Sequence, residues 1–297
     1  MSKSPYVIYT ASDGKYGDFL IDHWYRSLRD HVDLSLIDVR VLDYGLTTAQ
    51  RYYLEHEGAR VRPCVKDGHV AVVRFRDLAT DLRESDYSQV MAVDGGDLVF
   101  QADISGLFST HPDRFRAVPE DLNSGFDLFL REEYFTRATI TEIRRTTALR
   151  PQINAGLILG PRAAFLGLCD EIGRLVLDPT AFGPDQLVVN KVLHESGYFP
   201  LPGGYNFVVA TSRREFDIVD GVFIDRKDRQ PIPVVHNAGN WKFLRPIQDF
   251  GCGPGRNRLK SDLLNTLRFL HQSQNLLQNT RGRIRRFARS ALRRRFA

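Results

Sequence analysis

Residues 6–11, Tyr6-Val7-Ile8-Tyr9-Thr10-Ala11, are apolar at nearly every position rather than at alternate ones. That is the pattern of a strand buried on both faces of a parallel sheet. A polar loop with two glycines, Ser12-Asp13-Gly14-Lys15-Tyr16-Gly17, comes next. Phe19, Ile21, His23, Trp24 and Leu28 then give a helix over about 18–31 its apolar faces. A second strand is expected at 35–43. Thr47 or Thr48 caps a helix that runs to about Glu57 and stops at Gly58. A short strand at 59–63 and a helix at about 73–82 lead to the run Val90-Met91-Ala92-Val93. Asp94-Gly95-Gly96-Asp97 interrupts it, and Leu98-Val99-Phe100 resumes it. Strands and helices that alternate through short links predict an α/β fold, a mostly parallel sheet flanked by helices.

After Phe108 the alternation loosens. Strands are expected at 125–130 and 152–159, a helix at 161–177, and another from Asp185 with Pro184 in its first turn. Short strands at 204–209, 222–224 and 233–235 complete the pattern. Gly251-Cys252-Gly253-Pro254-Gly255 reads as a boundary. It divides the chain into a globule over 1–250 and a linker with a basic amphipathic helical tail over 251–297. There is no internal repeat.

Composition narrows the classes. The 297 residues, 42% apolar and 26% charged, suffice for one large core. Cys64, Cys169 and Cys252 are odd in number and far apart, which suggests neither a disulfide framework nor a zinc site and favours a reducing compartment. No uncharged apolar run approaches the roughly 18 residues of a membrane span, and residues 1–5 lack the apolar core of a signal peptide. A cytoplasmic location is expected. The net charge of +5 is an uneven average: residues 281–297 hold eight arginines and no acid, so the remainder carries −3. Leu263, Leu264, Leu267, Leu270, Leu276, Leu277, Ile284, Phe287, Leu292 and Phe296 can line a helix opposite those arginines. Such a helix suits an anionic membrane surface and peripheral attachment at the inner face; a solvated tail is the alternative. No nucleic-acid module is recognisable, so no nucleic acid is expected as a partner.

The chemistry gathers at a few places. A buried strand ending in acids puts negative charge at the carboxyl edge of a sheet, where open α/β folds bind ligands. The glycines between Asp94 and Asp97 allow close approach. Two hard oxygen ligands suit Mg²⁺ or Mn²⁺ carrying a phosphate, although a plain Asp-Gly turn gives the same pattern. Asn154 interrupts a buried strand, where its amide must find partners: a ligand hydroxyl, or the turn beside Gly156. Arg74 and Asp77, three apart on one helical face, are placed to pair with each other. No nucleophile elbow, Walker loop or dinucleotide fingerprint occurs.

Five segments in order, across roughly residues 5–246, resemble the family 8 nucleotide-sugar glycosyltransferases of the GT-A fold. They are strand 7–11, Asp43-Tyr44-Gly45-Leu46-Thr47, Asp94-Gly95-Gly96-Asp97, Asn154-Ala155-Gly156-Leu157 with Asp185-Gln186 and Asn190, and His236-Asn237-Ala238-Gly239-Asn240-Trp241-Lys242. The resemblance implies a retaining, metal-dependent transfer of sugar from a nucleotide sugar, a UDP-sugar above all, to a saccharide or lipid-linked acceptor. Asp94, Asp97 and His236 would hold the metal, Mn²⁺ rather than Mg²⁺ because imidazole joins the carboxylates. Tyr9, Thr10 and Ala11, with Lys15, Tyr16, Arg74, Val93, Gly95, Gly156 and Gly239, would surround the nucleotide sugar. Lys242 would add charge at the β-phosphate. Asp185, Gln186 and Asn154 would orient the transferred sugar as the catalytic set. Two departures stand out: the family has one residue between its two acids where this chain has two, and Phe243-Leu244 replaces the family's Pro-Trp. The altered acidic motif keeps a second reading open, a nucleotide-sugar-binding protein without transferase activity. A phosphohydrolase would need a further acidic cluster that the sequence lacks.

Overall fold

The computed structural model describes residues 4–123, 126–239 and 242–276. The central sheet is built from β1 (Tyr6–Ser12), β2 (Ile37–Asp43), β3 (Arg60–Pro63), β4 (Gln89–Val93), β6 (Phe115–Pro119), β7 (Ile153–Pro161) and β8 (Tyr198–Pro200), with β5 (Leu98–Phe100) leaving it. Its order is β3-β2-β1-β4-β7-β6-β8. The four strands from β3 to β4 run parallel, β7 runs antiparallel to both neighbours, and β6 and β8 are parallel. Val7, Ile8, Val90, Met91, Ile158 and Leu159 are wholly buried, as continuous apolar strands require when helices cover both faces.

The helix expected at 18–31 comprises α1 (Gly17–Phe19) and α2 (Arg26–His31) joined by a π-wound stretch, Leu20–Tyr25. α3 (Thr48–His56) starts with a capping box between Thr47 and Gln50. α4 (Val70–Arg83), α5 (Arg137–Thr147), α6 (Arg162–Leu175) and α7 (Pro184–Ser196) cover one face, where Phe75, Leu82, Ile143, Phe165, Leu168 and Val188 interlock. Trp24, Leu28, Phe100 and Phe108 fill the other. Each such fully buried side chain contributes about 1.5–3 kcal/mol. Among the described residues, no helix is long and apolar enough to cross a membrane.

The segment at 125–130 departs from expectation: it holds a 3-10 turn, Phe126–Phe129, rather than a strand. Leu128 is exposed while Phe129 and Leu130 both pack inward, a spacing that strand alternation does not allow.

A small sheet forms beside the main one, β5-β12-β9, from β9 (Phe207–Val208) and β12 (Val234–His236). The hairpin of β10 (Phe216–Val219) and β11 (Val222–Asp225) turns through Asp220 and Gly221, both at positive φ, which is why an Asp-Gly pair stands there. β13 (Ile247–Gln248) pairs with β14 (Arg258–Leu259). The glycine-rich stretch at 251–255 therefore loops back, and the helix over 261–276 rests on the globule, with Leu264 buried beside Phe207 and Val235. Residues 277–297, the part of the expected 251–297 tail that holds its eight arginines, lie outside the described part.

Candidate active site

The carboxyl ends of β1 and β4 meet at one edge of the sheet, and the start of β7 lies beside them because Val93 pairs with Leu157. This geometry carries Ala11, Asp94 and Asn154 to one place. The edge opens into a cavity of about 1060 Å³. β12 contributes His236 from the small sheet, where it pairs with Leu98 one residue past Asp97. The two-glycine spacing does not separate the acids. Asp94, Asp97 and His236 each turn a ligand atom to one point, all within 4.8 Å of one another. His236 Nε2 lies 3.2 Å from Asp97 Oδ1 and 3.7 Å from Asp94 Oδ2.

Two arginines balance these acids. Arg74 reaches from the sheet-facing side of α4 to Asp94 and to the Ala155 carbonyl, so the pairing expected between Arg74 and Asp77 does not form. Asp77 instead accepts from the Tyr44 hydroxyl at 2.6 Å and pairs with Arg76. Arg245 bonds Asp97 at 2.7 Å and the Gly239 carbonyl at 2.9 Å. Burial works against charge on Asp94, yet Arg74 and His236 outweigh it and hold the carboxyl below its usual range. Burial likewise opposes protonation of His236, which is 1% exposed, but Asp97 and Asp94 prevail and raise its pKa.

Asp185, at the N-terminus of α7, is 4% exposed. Burial pushes its carboxyl up to about 6, against the pull of Arg74. Gln186 and Asn190, one helical turn apart, face the start of β7. Gln186 accepts from Ala155 N–H at 2.8 Å and donates to the Ile153 carbonyl, while Asn190 accepts from Ile153 N–H at 2.8 Å and donates to the same carbonyl. The Asp-Gln-x-x-x-Asn spacing is thus a clamp that fixes β7 against α7. Asn154 Oδ1 accepts from Gly156 N–H at 2.8 Å. A side chain on Gly156 would meet His236 Cε1 at 2.2 Å, so glycine makes room for the imidazole.

Of the residues expected here, Ala11, Lys15, Tyr16, Arg74, Asp94, Gly95, Asp97, Asn154, Gly156, Asp185, Gln186, His236 and Gly239 line the cavity. Tyr9 does not. Its ring is buried under α4 and its hydroxyl donates to Asp81 at 2.5 Å, because alternation along β1 turns position 9 toward the helix layer. Thr10 and Val93 also stand behind the lining rather than in it. The side chain of Lys242 lies outside the described part. Asp43 is structural: it accepts from Gly45 and Leu46 N–H and shapes the turn into α3. Two participants were not expected, Arg245 and Asn206. One end of the cavity is aromatic, with His69 5.3 Å and Phe129 5.8 Å from Phe182, and the helix over 261–276 walls another end with Leu267 and His271.

No family model and no curated protein matches the sequence. Solved structures do. The apo bifunctional glycosyltransferase WbbM aligns at TM-score 0.54 and 17% identity, over 81% of this chain and 47% of that one. An active-site mutant of LgtC aligns at 0.53 and 17% identity, over 88% of this chain and 94% of that one. The chain has the GT-A glycosyltransferase fold. It spans about half the length of WbbM but nearly all of LgtC. A third GT-A structure, the galactosyltransferase LgtC with donor and acceptor sugar analogs, aligns at 0.50 and 17% identity, over 89% of this chain and 96% of that one.

Proposed function

We propose that the protein is a glycosyltransferase that takes a sugar from a nucleotide sugar, a UDP-sugar, and passes it with retention to a saccharide or glycolipid acceptor, using Mn²⁺. The observation that carries this reading is the convergence of Asp94, Asp97 and His236 within 4.8 Å inside the cavity at the sheet edge. Two carboxylates and an imidazole nitrogen fit a divalent ion of intermediate hardness, and Mn²⁺ tolerates the nitrogen better than Mg²⁺. Such an ion would act as a Lewis acid on the charge that grows on the leaving diphosphate.

The chain's own groups account for the rest. Arg74 and Arg245 are cations at the rim of the acid pair and can turn to phosphate oxygens when a donor enters. Asp185 accepts from sugar hydroxyls. Asn154 Oδ1 is occupied by Gly156 N–H, which leaves its amide hydrogens to donate. Gln186, whose amide holds the backbone of β7, positions this group rather than attacking the sugar. With no side-chain nucleophile assigned, the acceptor's proton passes to the leaving diphosphate on the same face. The LgtC complex with donor and acceptor sugar analogs supports a cavity that holds both at once.

A thermal-shift panel of nucleotide sugars with and without Mn²⁺ tests the donor. A UDP-sugar that raises the melting temperature only when Mn²⁺ is present is the expected result. Asp94→Asn should fold normally and lose at least about a hundredfold in donor turnover, the scale of a lost electrostatic group at the reacting charge. Near-parental turnover of that variant in Mn²⁺ would remove the metal role. UDP binding indifferent to Mn²⁺, with no hydrolysis of any UDP-sugar, would leave a binding protein instead.

A further inference from the structure

The hydrogen bonds behind His236 have only one consistent direction. Gly156 N–H can only donate, so Asn154 must present Oδ1 to it, at 2.8 Å. Asn206 sits at the end of the 3-10 turn Gly203–Asn206 and is 3% exposed. It reaches that same Oδ1 at 3.3 Å and the Asn154 carbonyl at 3.4 Å. Both atoms are acceptors, so Asn206 must turn its Nδ2 toward them. Its Oδ1 then faces His236 Nδ1, 3.0 Å away. A carbonyl oxygen cannot donate; the proton between them belongs to the imidazole. The other nitrogen, Nε2, is the one that faces Asp94 and Asp97.

We infer that Asn206 is a positioning residue that locks His236 in its Nδ1–H tautomer, so that the Nε2 lone pair is delivered to a divalent cation shared with Asp94 and Asp97. This rests on the metal reading given above. A ligating histidine whose second nitrogen is held by an oxygen acceptor loses ring rotation and tautomer choice before the ion arrives. The relay begins at a backbone amide of β7 and passes through two asparagines. It thereby ties the imidazole to the strand that also carries Asn154 and Gly156 into the cavity.

The test uses the full chain, Mn²⁺ alone as the probe, and two variants. Asn206→Leu removes the acceptor; Asn206→Asp keeps an oxygen in its place. Isothermal titration should show Mn²⁺ affinity lowered about 10- to 100-fold in Asn206→Leu, the usual effect of losing an outer partner, and largely restored in Asn206→Asp. Nitrogen-15 NMR of the metal-free protein at alkaline pH, in an Asp94→Asn, Asp97→Asn background where no carboxylate competes for the Nε2 proton, should show His236 as the Nδ1–H tautomer with Asn206 intact and as a mixture with Asn206→Leu. A folded Asn206→Leu that binds Mn²⁺ like the parent, or that keeps the pure tautomer, would overturn the inference. The two readings fail separately. A parent that does not bind Mn²⁺ would end the metal proposal, while the NMR arm still decides whether Asn206 sets the tautomer.

Discussion

Asp185 shows most directly how burial and charge compete at a single residue. Its carboxyl is enclosed near Arg74 and Asp94, and burial outweighs the arginine to raise the pKa from 3.8 to about 6. Between those values the folded protein binds a proton that the unfolded chain has released. Its contribution to stability is therefore complete below about pH 4 and falls as pH rises through about 6. Moving that pKa from 3.8 to about 6 corresponds to at most about 3 kcal/mol. Asp94 is depressed and acts with the opposite sign at low pH, and His236 is raised and acts above its ordinary range. Comparison with Asp185→Asn cancels both. In metal-free protein, urea unfolding across this range should show the parent losing up to about 3 kcal/mol relative to the variant. Parallel stability curves would mean that Asp185 ionises normally and is better hydrated than its burial indicates.

At the scale of elements, the site depends on how β7 is held. Ile153 N–H, at the start of β7, finds Asn190 Oδ1 on α7 instead of a sheet partner. Asn190→Ala would leave that buried donor without its acceptor, at a cost of about 1–3 kcal/mol. Denaturant unfolding should register this loss together with weaker donor binding, since Asn154 and Gly156 follow directly. A variant as stable as the parent would show that β7 does not need the clamp. Much of this level was legible in the sequence. Continuous apolar runs marked β1, β4 and β7, and the acids and amides at their ends marked the edge where the cavity forms. What stayed hidden depends on distant partners. Spacing along α4 offers Asp77 to Arg74, but the tertiary fold offers Asp94 instead. Asn206 meets His236 across 30 positions, and Arg245 meets Asp97 across 148, so no local pattern announces either contact. The place of Tyr9 under α4 was not legible because an apolar strand does not reveal which of its two buried faces borders the cavity.

For the whole molecule, the question is where the globule ends and the basic tail begins. A cut at the glycine-rich stretch would pass through packed structure. Leu264 belongs to the core under the small sheet, Arg268 donates to the Val209 and Arg214 carbonyls, and Asn275 donates to the Asn123 carbonyl at 3.2 Å. Leu267 and His271 wall the cavity. Ending the chain after residue 255 should therefore lower the melting temperature and open the site to water. Ending it after residue 276 should leave melting and donor hydrolysis nearly unchanged, because only the arginine-rich segment is removed. That segment carries eight positive charges over residues 281–297, against a net −3 on the rest, so any attraction to an anionic surface belongs to it. Each arginine near such a surface is worth about 1 kcal/mol, and engagement of half of them would give about 4 kcal/mol, close to a thousandfold in affinity. Co-sedimentation with phosphatidylserine vesicles should accordingly fall by that order in the shorter protein, and the parent's binding should weaken as salt shortens the Debye length below about 8 Å. Equal sedimentation of both proteins would remove the membrane as a partner, and would leave the proposed donor chemistry of the globule untouched.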